Sequence, residues 1–182
     1  MIRCRTLGPV AVTLHDGPPP AELLWKKNLA LLIYLARAPH RRRTRDHLIG
    51  LFWGDREEPA ARHSLREAIR VLRRSLGEGA VETLGDQVRL AEQCVEFDTE
   101  QLEQHAAKGE WAEAAALVGE EFLEGFWVPD AAAFEDWLAA ERTAWRRRGG
   151  EILVQASQRC GTAGDTHGMV AIARRALALD QP

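Results

Sequence analysis

The sequence predicts an α+β region at the N-terminus followed by an all-α region, and three observations predict it. Short alternating segments, broken by Gly8-Pro9 and Asp16-Gly17, open the chain. Three helical periodicities and a hairpin pattern follow, and beyond Phe97-Asp98 only helical periodicities remain. The shift places a domain boundary between residues 1–97 and 98–182. Charge divides at the same place, with 16 Lys and Arg against 12 Asp and Glu in residues 1–97, and 8 against 15 in residues 98–182. A mildly basic piece joined to an acidic one suggests a nucleic-acid-facing part and a part with another task.

The elements follow in order. Ile2-Arg3-Cys4-Arg5-Thr6-Leu7 and Val10-Ala11-Val12-Thr13-Leu14 read as strands of an antiparallel sheet. Asp16-Gly17 is a tight-turn pair, since glycine accepts positive φ, and Pro18-Pro19-Pro20 limits any following strand to a short edge piece. A first helix runs from Lys26 to Ala38, with Leu29, Leu32, Ile33 and Ala36 at helical spacing and Pro39 as its stop. A second runs from Arg45 to Trp53, capped by Thr44, with Asp46 at its positive end. A third runs from Pro59 to Leu76 and stops at Gly77. Val81-Glu82-Thr83-Leu84, Gly85-Asp86 and Val88-Arg89-Leu90 then form a β-hairpin.

In the second half, helices are expected at Thr99–Lys108, Trp111–Leu123, Ala132–Cys160 with a break at Gly149-Gly150, and His167–Leu179. Gly109-Glu110-Trp111-Ala112-Glu113-Ala114 and Gly164-Asp165-Thr166-His167-Gly168-Met169 both resemble the opening of the second helix of a tetratricopeptide hairpin. Ala176-Leu177-Ala178-Leu179-Asp180 with Pro182 resembles that repeat's ending, apart from one extra residue, Gln181. A helical repeat closing at the last residue is expected to continue in a longer protein, because terminal repeats need a polar cap.

Composition excludes several classes. A hydrophobic content of 46% with 28% charged residues allows a buried core and argues against disorder. No apolar run approaches the roughly 20 residues a membrane helix needs. Cys4, Cys94 and Cys160 are odd in number and without CxxC spacing, which points to a reducing, cytoplasmic setting. The six histidines lack HxxxH spacing, and neither GxxxxGK[ST] nor GxGxxG occurs, so no metal, nucleotide or other cofactor is expected. His15-Asp16-Gly17 reads as a turn rather than a catalytic pair, the aromatic residues of the second half as core, and no enzyme is expected.

The third helix carries the functional expectation. Leu65, Ala68, Ile69, Leu72 and Leu76 fall on one side at 100° per residue, while His63, Glu67, Arg70 and Arg74 lie opposite, flanked by Arg62, Arg66 and Arg73. Guanidinium forks on such a face pair with guanine O6 and N7 or grip phosphates. Helix, short turn, helix and an arginine-bearing hairpin together make a winged helix-turn-helix, followed by the tetratricopeptide-like helical domain.

On these residues the chain resembles the SARP-type transcriptional regulators, an OmpR/PhoB-like winged helix joined to a bacterial transcriptional activation domain. The stretches Lys26–Leu32, Thr44–Trp53, Ser64–Leu76 and Val88–Leu90 carry the first likeness. Glu121-Phe122-Leu123-Glu124-Gly125-Phe126 and Phe134-Glu135-Asp136-Trp137-Leu138 carry the second. The resemblance implies that helix 59–76 enters the major groove through His63, Arg66, Glu67, Arg70 and Arg74, with Val71 at its edge. It implies a wing at 81–91 whose Arg89 reaches the minor groove, although the family's Gly-Tyr before that arginine is here Gln87-Val88. Trp53 matches a family tryptophan that lies against the phosphate backbone, and is equally readable as core. Arg41, Arg42, Arg43 and Arg45 form a basic run suited to phosphates or to a solvated loop. The implied partners are double-stranded DNA, a second copy on repeated sites, and RNA polymerase. The competing expectation is a helical protein-interaction scaffold whose winged helix is a docking module.

Overall fold

A computed structural model describes residues 2–14 and 17–179. In chain order these form β1 (Ile2–Arg5), β2 (Ala11–Thr13), α1 (Lys26–Arg37), β3 (Arg42–Thr44), α2 (Arg45–Trp53), α3 (Glu58–Leu76), β4 (Val81–Leu84), β5 (Gln87–Leu90), β6 (Val95–Phe97), α4 (Asp98–Lys108), α5 (Trp111–Leu117), α6 (Ala132–Thr162) and α7 (Thr166–Leu179). An α+β region followed by helices is therefore the observed class, as the sequence predicts. One sheet has the order β2-β1-β6 and the other the order β3-β5-β4. The expected turn at Asp16-Gly17 and the repeat ending at Asp180–Pro182 fall wholly or partly outside the described residues.

The chain divides into two compact units. Among the described residues, the first contains those up to Arg3, those of Val12–Glu96 and Trp127–Leu138; the second contains Cys4–Ala11, Phe97–Phe126 and those from Ala139 to Leu179.

The first unit is built on α1, whose residues from Asn28 to Leu35 are all buried, so the helix is enclosed on every side. The amphipathic α3 presents Ala61, Leu65, Ala68, Ile69, Val71 and Leu72 to the interior. Residues 127–138 supply further core to the same unit. Phe134 is fully buried, 5.2 Å from Phe52 and 5.1 Å from Trp137, and Trp137 stands edge-on to Tyr34 at 4.9 Å. Lys27 donates from Nζ to the carbonyl oxygens of Phe52 (2.7 Å) and Asp130 (3.3 Å), tying α1, the end of α2 and this segment together. Burial, opposed by the Asp55 carboxylate, lowers the Lys27 pKa.

In the second unit a carboxylate organises the N-terminal residues. Asp98 accepts hydrogen bonds from the Thr6 and Leu7 amides and from the Thr6 hydroxyl, at 2.6–2.9 Å. Burial and that same Asp98 charge push the Cys4 thiol up to about 12, so it is an inert core group. Arg148 joins α6 to α4 through both oxygens of Glu103 (2.8 and 2.7 Å), and Arg175 joins α7 to the carbonyls of Ala115 and Val118.

Two expected helix boundaries are corrected. The helix from Trp111 ends at Leu117 rather than Leu123, because Val118 adopts an extended conformation and the following segment pairs with the N-terminal residues through Leu7 and Phe122. Arg142 holds that segment by donating to the carbonyls of Phe122, Leu123 and Phe126. Conversely, α6 runs unbroken through Gly149-Gly150. A Cβ on Gly149 would stand 3.1 Å from Val118 Cγ1 and 3.4 Å from Leu179 Cδ1, so glycine there serves close packing rather than a helix break.

Candidate nucleic-acid interface

The helix-turn-helix is set up locally. Thr44 caps α2, its hydroxyl accepting from the His47 amide at 3.3 Å, as its position before the first helical residue predicts. The turn to α3 needs Gly54, since a Cβ there would lie 2.8 Å from the Gly50 carbonyl oxygen. Pro59 stands in the first turn of α3, and Gly77, at φ 104°, ends it by donating its amide to the Arg73 carbonyl.

With its apolar stripe buried, α3 exposes Arg62, His63, Arg66, Glu67, Arg70 and Arg74 on the opposite side. Their ionic partners differ. Arg62 bonds Glu58 at 2.8 Å and Asp46 at 3.3 Å, Arg70 bonds Glu67 at 3.2 Å, and Arg74 pairs with Glu22. Among the described residues Arg66 and His63 have no ionic or hydrogen-bond partner. All of these pairs are solvent-exposed, so each is worth little and can be exchanged for another anion.

Arg73 is placed differently. It is half-buried, donates from Nε to the Val81 carbonyl at 2.8 Å and from Nη2 to Thr83 Oγ1 at 3.2 Å, and so fastens α3 to β4. In this arrangement the Arg73 guanidinium is engaged with the hairpin. Trp53 is 4% exposed and packs beside Phe52 with ring centroids 5.7 Å apart, in keeping with the core alternative.

The hairpin is the expected one, with Val81↔Leu90 and Glu82↔Arg89 among its register pairs, but a third strand was not foreseen. β3 pairs antiparallel with β5 through Arg42↔Arg89, Arg43↔Val88 and Thr44↔Gln87. Part of the basic run, read as suited to phosphates or to a solvated loop, is thus an edge strand with charged residues, a usual way of protecting an edge. Arg43 leans over the Tyr34 ring at 5.8 Å with Nε 3.4 Å from its hydroxyl, while Arg89 is partly exposed and 3.8 Å from Glu82. His47 shares a 2.6 Å hydrogen bond with the Tyr34 hydroxyl. Burial, reinforced by the Arg43 charge, lowers the His47 pKa.

Beside the α3 stripe lies an open groove of about 610 Å³ whose lining includes Glu22, Trp25, Arg56, Glu67, Arg70 and Arg74. Trp25 is 62% exposed, and Arg56 bonds Ser64 at 3.2 Å. Sequence reasoning passed over Glu22, Trp25 and Arg56, because they lie outside the α3 periodicity and only the fold brings them to its flank. Among the described residues no group of His, Cys, Asp or Glu could hold a metal ion, and no helix is long and apolar enough to cross a membrane.

Comparison with known proteins falls on the same elements. Residues 22–88 match the family described as "Transcriptional regulatory protein, C terminal". Among solved structures the chain is similar to EmbR of Mycobacterium tuberculosis, determined in complex with a low-affinity phosphopeptide. The identity is 17% and the TM-score 0.55, over 98% of this chain and 55% of that one, so the chain spans about half of EmbR's length and the likeness is one of fold. No curated protein matches the chain.

Proposed function

We propose, from the premise that residues 22–88 match the family described as "Transcriptional regulatory protein, C terminal" and that the chain shares the fold of EmbR, that this protein is a sequence-specific DNA-binding transcriptional activator. A single observation carries the reading. The arginine-rich side of α3 is exposed along its length, its carboxylate partners are exchangeable, and a three-stranded wing stands at its end. Helix 59–76 would lie in a major groove, with His63, Arg66, Glu67 and Arg70 toward base edges and Arg62 and Arg74 toward phosphates. Arg89 on the wing and Arg43 on β3 would hold the flanking backbone. The reading assigns the protein no catalytic step and no cofactor.

The resemblance to SARP-type regulators supports the finer parts: activation, binding as a dimer to repeated promoter sites, and contact of the acidic half, residues 98–182, with RNA polymerase. The test is selection of bound fragments from genomic DNA with the purified chain, followed by fluorescence anisotropy on the selected duplex. A repeated motif is expected, and Arg70→Ala should weaken binding to it by about 1–3 kcal/mol. Recovery of random fragments, or wild-type affinity and preference in Arg70→Ala, would overturn the reading. A docking module would bind no duplex at any salt concentration.

A further inference from the structure

Resting on the functional reading above, we infer that Glu67 and Arg70 act as one unit that reads both bases of a single C·G pair, Glu67 taking the cytosine amino group and Arg70 the guanine. Glu67 is the one acidic residue between Pro59 and Leu76, among Arg62, Arg66, Arg70, Arg73 and Arg74. A carboxylate in the middle of a face that meets a polyanion is repelled unless a donor satisfies it there. Arg62 and Arg74 have carboxylate partners at the margins, from Glu58, Asp46 and Glu22, whereas Glu67 stands on the reading stripe itself.

The chemistry of the groove narrows what Glu67 can meet. An ionised carboxylate only accepts hydrogen bonds, and the major-groove edge offers donors only at cytosine N4 and adenine N6. Its neighbour selects between them. Arg70 Nη1 is 3.2 Å from Glu67 Oε2 and 3.5 Å from Oε1, so the two side chains present a donor and an acceptor side by side. In a C·G pair the cytosine N4 and guanine O6 are themselves hydrogen-bonded, about 2.9 Å apart, and present the opposite order. Docked together, the groups close a ring: guanidinium to guanine O6, cytosine amino group to carboxylate, and guanidinium to carboxylate. The internal pair need not break, and Arg70 keeps further N–H groups for guanine N7. An A·T pair offers thymine O4 against the adenine amino group but lacks the paired acceptors O6 and N7 on one purine that a guanidinium fork prefers.

An intrahelical pair that merely steadies α3 makes a different prediction, so the two are separable. The motif is first selected from random duplexes with the wild-type chain. Anisotropy then compares wild type and Glu67→Leu on that duplex, on its single-base-pair variants, and on duplexes carrying N4-methylcytosine at each cytosine in turn. The methyl group replaces the amino hydrogen that faces the groove and leaves base pairing in place. Wild type should lose about tenfold in affinity at one N4-methylcytosine, and at that position alone Glu67→Leu, which has no acceptor, should lose its preference for C·G. The variant should also bind unrelated duplex more tightly, having one carboxylate fewer. Unchanged preferences in Glu67→Leu, or wild-type tolerance of N4-methylcytosine at every position, would overturn this assignment and leave the functional reading standing. A wild-type chain with no selected motif would overturn both.

Discussion

Replacing Phe134 by alanine should loosen the helix-turn-helix, although residue 134 lies nearly sixty positions beyond the end of α3. Its ring is fully buried within the first unit, 5.2 Å from Phe52 and 5.1 Å from Trp137, and Trp137 in turn packs on Tyr34 of α1. Truncating a buried phenylalanine costs about 3–5 kcal/mol through lost transfer energy and the cavity left behind. Lys27, bonded to the carbonyls of Phe52 and Asp130, limits how far the site can collapse, which favours the upper part of that range. A domain whose whole stability is about 5–15 kcal/mol will register such a loss. Because the chain holds two units, a single melting midpoint is a poor reporter, and hydrogen exchange of peptides covering α1 and α2 is the suitable assay. Their slowest amides should exchange about 100-fold or more faster, at 1.4 kcal/mol per tenfold. A change below threefold in α1 and α2 would refute the claim that residues 127–138 complete this core.

Two further outcomes follow from the site. Arg73→Ala should destabilise the β4–β5 hairpin by about 1.5–3 kcal/mol, the scale of hydrogen bonds to a charged group, while the salt dependence of DNA binding stays as in wild type; a flatter salt slope would return Arg73 to the phosphate contacts. His47 has a folded-state pKa below its ordinary 6.5, so the unfolded chain takes up its proton first. That stabilising contribution is complete above pH 6.5 and declines as pH falls toward the folded value. His47→Gln should reduce the loss of stability between pH 7 and 5, as measured by urea unfolding, and an unchanged pH slope would exclude this histidine as its source.

Much of the candidate surface was legible because it follows from one helix. The capping threonine, the proline in the first turn and the glycine stop bound α2 and α3, and the 3.6-residue period separates Leu65, Ile69 and Leu72 from Arg66 and Arg70. β3 was not legible, since Arg42-Arg43-Thr44 has no apolar alternation and becomes a strand only through its pairing with β5. The two roles open for Trp53 could not be separated by periodicity, because a tryptophan at a helix end fits a core or a surface equally well; its burial against Phe52 is in keeping with the first. Arg73 looked like its neighbours for the same reason, its hydrogen-bond acceptors lying on a strand the helical pattern does not describe. That residues 127–138 join the first unit is likewise a tertiary fact. Aromatic spacing says that Phe134 is buried but not against what.

The account's central claim is that α3 and its wing present cations to duplex DNA, and binding measured by anisotropy from 50 to 200 mM salt tests it most directly. Four candidate phosphate contacts, Arg43, Arg62, Arg74 and Arg89, predict a log–log slope near −3.6 and a loss of about 150-fold in affinity across that range. No detectable binding at 50 mM salt, or a slope shallower than about −1, would contradict it.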